Sequence, residues 1–260
     1  MSAGEHEFAS RRALVTGGSR GIGRAVCLEL ARRGADVAFI YRSRDAEAEA
    51  TAAEIRGLGR VALALKTDLA DARGVAAAVE RASAELGGLD IVVQAAGAMG
   101  AWQDTAELSP EDWDRYLAVD LSGAFYVIRA ALPHLRKAGR GAAIVAISSI
   151  AAQMCQPRNV QGAAAKAGLE ALVRVVAREE GRRGIRANVV AVGLTDTDMG
   201  QSAFSQWGPE TTERIIRGIP LRRIGTPEEV ARVVAFLAGP DADYITGKVL
   251  QVDGGQIIAG

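Results

Sequence analysis

Thr16-Gly17-Gly18-Ser19-Arg20-Gly21-Ile22-Gly23 is the stretch on which the fold turns. An apolar run at 13–16 leads into it. A helical stretch with Ala25, Val26, Leu28 and Leu30 on its apolar side leaves it. The glycines permit a tight turn and a close approach of backbone to a pyrophosphate, and the following helix N-terminus offers free N–H groups and a positive dipole end. A glycine cluster alone says little, since any strand–turn–helix can use one. The strand before it and the helix after it make the pattern specific for a dinucleotide.

Outward from this motif, apolar runs recur at 37–41, 61–65, 91–93, 142–147, 187–192 and 249–252. Amphipathic stretches such as 46–58 and 75–86 separate them. Continuous apolar strands imply a sheet covered on both faces, and strand–helix alternation implies parallel order. The pattern predicts a single α/β domain over 11–260, a Rossmann-type doubly wound parallel sheet. The polar stretch 1–10 has no apolar core and reads as a disordered leader, neither signal peptide nor membrane span. Residues 194–220, with Met199, Phe204, Trp207 and Pro209, form the least regular segment. Following a strand in such a sheet, the segment falls at the carboxyl ends, where ligands bind, and reads as a substrate loop.

The 260 residues suit one large domain. Lys plus Arg and Asp plus Glu balance at 31 each, so no net field attracts nucleic acid or an anionic membrane. Cys27 and Cys155 form no disulfide framework, which favours a reducing, cytoplasmic setting. Neither they nor His6 and His134 have metal-ligand spacing, so no metal is expected.

The end of the second strand identifies the nucleotide. NAD-binding folds place an acid there for the ribose 2′-hydroxyl. This chain has Tyr41 followed by Arg42, and Arg20 lies in the glycine turn. Two arginines without a carboxylate suit a 2′-phosphate, so NADPH is the expected cofactor.

With these motifs in place the chain resembles the short-chain dehydrogenase/reductase family, and within it 3-oxoacyl carrier-protein reductases. The resemblance runs over essentially 11–260. Asp68-Leu69 matches the family's adenine-contacting pair. Gln94-Ala95-Ala96-Gly97 loosely matches the Asn-Asn-Ala-Gly run after the fourth strand. Ser148-Ser149-Ile150 matches the end of the fifth. Gly193 through Thr197 follows the Pro-Gly-x-x-x-Thr run with its proline lost, and the tail from Ile219 to Gly255 follows the family closely. The resemblance implies cofactor contacts from Gly17, Ser19, Arg20, Gly21, Ile22, Gly23, Tyr41, Arg42, Asp68, Leu69, Ala96, Gly97, Lys166, Gly193, Thr195 and Thr197. It also implies a homo-oligomer, a tetramer built through 110–137, 160–180 and 249–258.

The family's catalytic serine, tyrosine and lysine fall on Ser149, Gly162 and Lys166, thirteen and then four residues apart. The tyrosine is glycine. The family's helical asparagine falls on Asp120. The remaining tyrosines, Tyr41, Tyr116, Tyr126 and Tyr244, lie outside this segment. Ketone reduction builds an alkoxide and needs an acid, whose loss costs about 10²–10⁴ in rate. An iminium needs no proton and favours a nearby carboxylate. Loss of the acid and gain of Asp120 are together explained by reduction of a C=N bond, in an iminium or hemiaminal carbon of a secondary-metabolite-like substrate. Three alternatives stand beside this: a non-redox cyclase or isomerase, a carbonyl reductase taking its proton from water or Asp120, and a silent partner subunit. The plainer readings are that Asp120 is buried without a task and that Lys166 only holds the nicotinamide ribose.

Overall fold

The computed structural model describes residues 7–100 and 102–258. Seven strands form one parallel sheet: β1 (Arg12–Thr16), β2 (Asp36–Tyr41), β3 (Ala62–Lys66), β4 (Ile91–Gln94), β5 (Ala143–Ser149), β6 (Arg186–Val192) and β7 (Val249–Val252). Their order is β3-β2-β1-β4-β5-β6-β7, so the direction of winding reverses between β1 and β4. A crevice opens at such a reversal, outside the carboxyl ends of the strands.

Alternate residues of each strand face opposite sides of the sheet and fill two cores. Ala13, Val15, Val37 and Phe39 face one side, covered by α1 (Gly21–Arg32) and α10 (Pro227–Ala238). Leu14, Ala38 and Ile40 face the other, covered by α3 (Ala72–Leu86), α5 (Gly123–Ala138) and α7 (Val160–Glu180). Each fully buried Leu, Ile, Val or Phe contributes about 1.5–3 kcal/mol. The remaining helices are α2 (Asp45–Gly57), α4 (Pro110–Tyr116), the short α6 (Ala151–Met154), α8 (Asp198–Trp207) and α9 (Pro209–Gly218).

Two expectations change. The leader is not disordered throughout. Phe8 is buried in the core beside α1, its N–H donates to the Arg33 carbonyl, and Glu7 pairs with Arg33 at 2.9 Å. The Phe8 ring, the backbone bond to Arg33 and the Glu7–Arg33 pair together hold this segment on α1. Residues 1–6 lie outside the described residues. The segment 194–220 is not irregular either. It carries α8, capped by the Thr197 hydroxyl accepting from Gly200 N–H, and α9, opened by Pro209 at its first turn.

Candidate active site

The turn after β1 is held at both ends. Gly17 sits at φ +73°, a left-handed conformation that favours glycine, and a Cβ there would stand 3.0 Å from Ala96 Cα at the end of β4. The Thr16 hydroxyl donates to Gln94 and accepts from the N–H groups of Ala95 and Ala96. Thr16 thus ties the two loops of the crevice together. Gly23 in the first turn of α1 lies over the Gly17 carbonyl, where a Cβ would come within 2.2 Å. Gly21 faces Thr197, which brings the start of α8 to the glycine turn.

Beside this turn lies a cleft of about 440 Å³ whose lining includes Ser19, Arg20, Arg24, Arg44, Glu47 and Glu54. Arg20 pairs with Asp198 at 2.8 Å, Arg24 with Glu54 at 2.5 Å and Arg44 with Glu47 at 2.9 Å. Arg20 thus lines this cleft. Arg42 is exposed and does not line the cleft, and Arg44 takes that place. Tyr41 donates its hydroxyl to Asp45, which Lys66 also holds at 2.8 Å. A glycine turn that keeps side chains away, a helix N-terminus and a flanking guanidinium cluster fit a phosphorylated dinucleotide.

The other expected contacts surround the same crevice. Asp68 is exposed just beyond β3, where its carboxylate accepts from Ala70 N–H, and Leu69 is buried beside Gly123. Ile22 packs against the core beneath α1. Gly97 lies within reach of Asp120, Lys166 and Met199. Gly193 leaves β6 with no room for a Cβ beside Asp253, and the buried Thr195 donates to the Gly193 carbonyl.

The residues expected to act chemically converge at the ends of β5 and α7. Ser149 ends β5, half-buried, and its Oγ accepts from Ala151 N–H at 3.1 Å. The preceding Ser148 faces inward and donates to the buried Glu170. Lys166, on α7, donates to the Ile147 carbonyl at 3.2 Å and pairs with Asp120 at 3.1 Å. Asp120 is 3% exposed, and its second oxygen accepts from Ala98 N–H at 2.6 Å. It sits in a π-helical turn, Leu117–Ser122, that joins α4 to α5. Such widened turns re-aim side chains and occur frequently at functional sites. Asp120 thus does not stand open toward a substrate; Lys166 neutralises it.

Gly162 lies in the first turn of α7. The Asn159 side chain occupies the space above it, and a Cβ at 162 would meet Asn159 Oδ1 at 2.3 Å.

Sequence reasoning passed over Tyr116. This buried residue ends α4, hydrogen-bonds the Gln161 side chain and feels the charge of Asp120. Burial, above all, raises its phenol pKa. Its separation from Asp120, four residues, was the available signal. Trp102 was also passed over: it meets Trp207 of α8 edge-on at 5.0 Å between ring centres, and Phe204 meets Trp207 at 6.0 Å. His134 is remote from the site and bridges Ser83 and Glu80 of α3. Among the described residues no cluster of His, Cys, Asp and Glu is built to hold a metal, and no helix is long and apolar enough to cross a membrane.

The fold and the crevice define a dinucleotide-binding protein of the Rossmann class. A family model described as enoyl-(acyl carrier protein) reductase matches residues 17–256. The chain is 35% identical to the short chain dehydrogenase/reductase AacuN of Aspergillus aculeatus, over 98% of each chain. It is 36% identical to the 3-oxoacyl-[acyl-carrier-protein] reductase FabG of Staphylococcus aureus, over 95% of this chain and 98% of that one. A short chain dehydrogenase from Burkholderia cenocepacia, solved in complex with NADP, superposes with a TM-score of 0.90 at 37% identity, covering 96% of this chain and 99% of its own. The chain belongs to the short-chain dehydrogenase/reductase family.

Proposed function

We propose that this chain is an NADPH-dependent reductase that acts on a C=N carbon, an iminium or a hemiaminal, in a secondary-metabolite-like substrate. The observation that carries the reading is Gly162: the position matching the family's acid has no side chain, and Asn159 leans into its space. A reaction that ends in an alkoxide needs a proton there, and one that ends in a neutral amine does not.

Bound NADPH supplies the hydride. Arg20 and Arg44, at the mouth of the cleft beside the glycine turn, read the 2′-phosphate. Lys166 holds the nicotinamide ribose, and Ser149 offers a hydroxyl to the substrate. Asp120 acts through Lys166. An ammonium facing a cationic substrate at about 6 Å, with an effective dielectric near 20, opposes it by roughly 3 kcal/mol. The 3.1 Å pair with Asp120 cancels that field. The carboxylate thereby admits a cation without touching it.

We also read the protein as a cytoplasmic homo-oligomer, a tetramer, joined partly through α5 and α7. Phe125 and Val175 project from these helices at 45% and 54% exposure, although both helices already cover the sheet. Light scattering at micromolar concentration showing a monomer would remove that reading. The chemical reading is tested with NADPH deuterated at the transferable position and a panel of cyclic iminiums. Deuterium on the former C=N carbon of the amine supports it. Product formed without label supports a non-redox enzyme instead.

A further inference from the structure

We propose that Tyr116 is the acid that expels hydroxyl from a hemiaminal substrate, an assignment that rests on the C=N reading above. Four features of its placement support this. Tyr116 is 7% exposed at the end of α4. Its phenol oxygen lies against Gly100, where a Cβ would come within 2.2 Å, so that glycine makes room for the hydroxyl. Three residues earlier on the same loop, Gly97 lies against Asp120, Lys166 and Met199. Finally, the hydrogen-bond partner of the phenol is Gln161, the neighbour of Gly162. A phenol from α4 thus stands beside Gly100 and Gln161, next to the position where α7 supplies none.

The other three tyrosines are placed elsewhere. Tyr41 is bonded to Asp45 beside β2, Tyr126 packs on the core under α5, and Tyr244 is fully exposed. The charged groups around Tyr116 are Asp112 and Arg115 of α4 and Asp120 of the π-helical turn, with the Arg115 guanidinium 5.3 Å from the ring centre. Burial and the two carboxylates keep the phenol protonated. It is therefore a donor at neutral pH.

A hemiaminal must lose its hydroxyl before its carbon accepts hydride, and hydroxide is a poor leaving group. In the proposed step the C–O bond breaks and its electron pair leaves with oxygen. That oxygen takes the Tyr116 proton and departs as water. The nitrogen lone pair closes the C=N bond. The phenolate regains a proton from solvent, so the sum is hemiaminal plus one proton giving iminium plus water. A substrate that arrives already as an iminium has no use for the step.

The test compares two substrates of one ring skeleton, a cyclic hemiaminal and its N-methylated, permanently charged iminium. Tyr116→Phe removes one oxygen and leaves the packing in place. The expected result is a loss of about a hundredfold in kcat on the hemiaminal, the usual scale for a general acid. Turnover of the iminium, and the NADPH Kd read by fluorescence, stay within about twofold. Gly100→Ala, whose methyl displaces the hydroxyl, produces the same selective loss. Equal losses on both substrates would make Tyr116 a packing residue and overturn the proposal. So would no loss on the hemiaminal, or a wild-type protein that reduces the iminium and not the hemiaminal. A wild-type protein that reduces neither overturns the C=N reading along with it.

Discussion

Gly23 and Gly162 both stand where a side chain would collide, and the two collisions differ in kind. At Gly23 the obstruction is backbone, one peptide group with the Gly17 carbonyl oxygen at 2.2 Å and the Gly18 nitrogen at 3.2 Å. At Gly162 it is the end of a side chain, Asn159 Oδ1 at 2.3 Å, which rotates away at little cost. The nucleotide half of the crevice is built from chain geometry that allows no substitute. The catalytic half is built from interchangeable side chains on fixed helices.

The largest effect separates the two glycines. Gly23→Val forces two backbone segments apart, and overpacking of this kind costs about 1–3 kcal/mol or more. NADPH affinity is expected to fall by about a hundredfold or beyond on titration. An affinity within threefold of wild type, by the same conversion, would break the contrast. Next comes the phosphate reader. Removing a charge-assisted contact costs about 1.5–3 kcal/mol, so Arg44→Ala is expected to weaken NADPH by roughly 10- to 100-fold while leaving NADH unchanged. Parallel calorimetric titrations check this, and equal losses for both cofactors would return the 2′-phosphate to Arg42.

Asp120→Asn sharpens the catalytic side. It restores the charge of Lys166 to the site, and a residual opposition of about 1.4 kcal/mol after solvent screening is a tenfold slower reduction of a charged iminium. A neutral ketone should be indifferent. Steady-state kinetics on both substrates decide, since equal losses would mean that the pair only positions Lys166.

A smaller effect lies away from the crevice. Glu180 is held by Arg136 at 2.6 Å and Arg183 at 3.3 Å. The Arg136 hydrogen bonds, first, and the charges of Arg136, Arg183 and Arg182 hold its carboxyl below the ordinary value of 4.5. A depressed carboxylate contributes its stability in full above the ordinary value and loses it as pH falls through the depressed one. With Arg136 partly exposed, Glu180→Gln is expected to cost about 1 kcal/mol in urea unfolding at pH 7. The difference from wild type should shrink steadily below pH 4.5. A difference that grows on acidification would reverse the sign.

The smallest effect belongs to Gly162→Ala, which asks only Asn159 to move and is expected to change turnover by less than about threefold. Gly162→Tyr, which restores the family's acid, is expected to bring no gain in the natural reaction. A gain would point to a carbonyl substrate.

The same contrast explains what the sequence made legible. Strand positions followed from continuous apolar runs: the expected 37–41 is Asp36–Tyr41, and 249–252 is Val249–Val252. The glycine turn was legible because Gly17 and Gly21 take up positive φ and Gly23 lies against the Gly17 carbonyl. Arg44 rather than Arg42 lines the cleft because the loop after β2 decides which arginine faces it, and no periodicity governs a loop. Tyr116 was missed because its neighbour Gln161 lies far off in the chain and only the packing of α4 on α7 joins them. The helices in 194–220 did carry start signals, the Thr197 cap and Pro209, which the mixed composition of the segment obscured. Phe8 was hidden among polar neighbours. Asp120, which pairs with Lys166, sits in a π-helical turn, and no spacing in the chain announces that turn.

The central claim is that this site reduces carbon bound to nitrogen without an acid at position 162. Its most direct test is the ratio of kcat/KM for a permanently charged cyclic iminium to that for the ketone of the same skeleton, measured by NADPH consumption with the wild-type protein. The absence at position 162 of the acid that family members use on ketones, an acid the iminium does not need, sets the expected ratio at about a hundredfold or more in favour of the iminium. A ketone reduced as fast as the iminium, or faster, would contradict the claim.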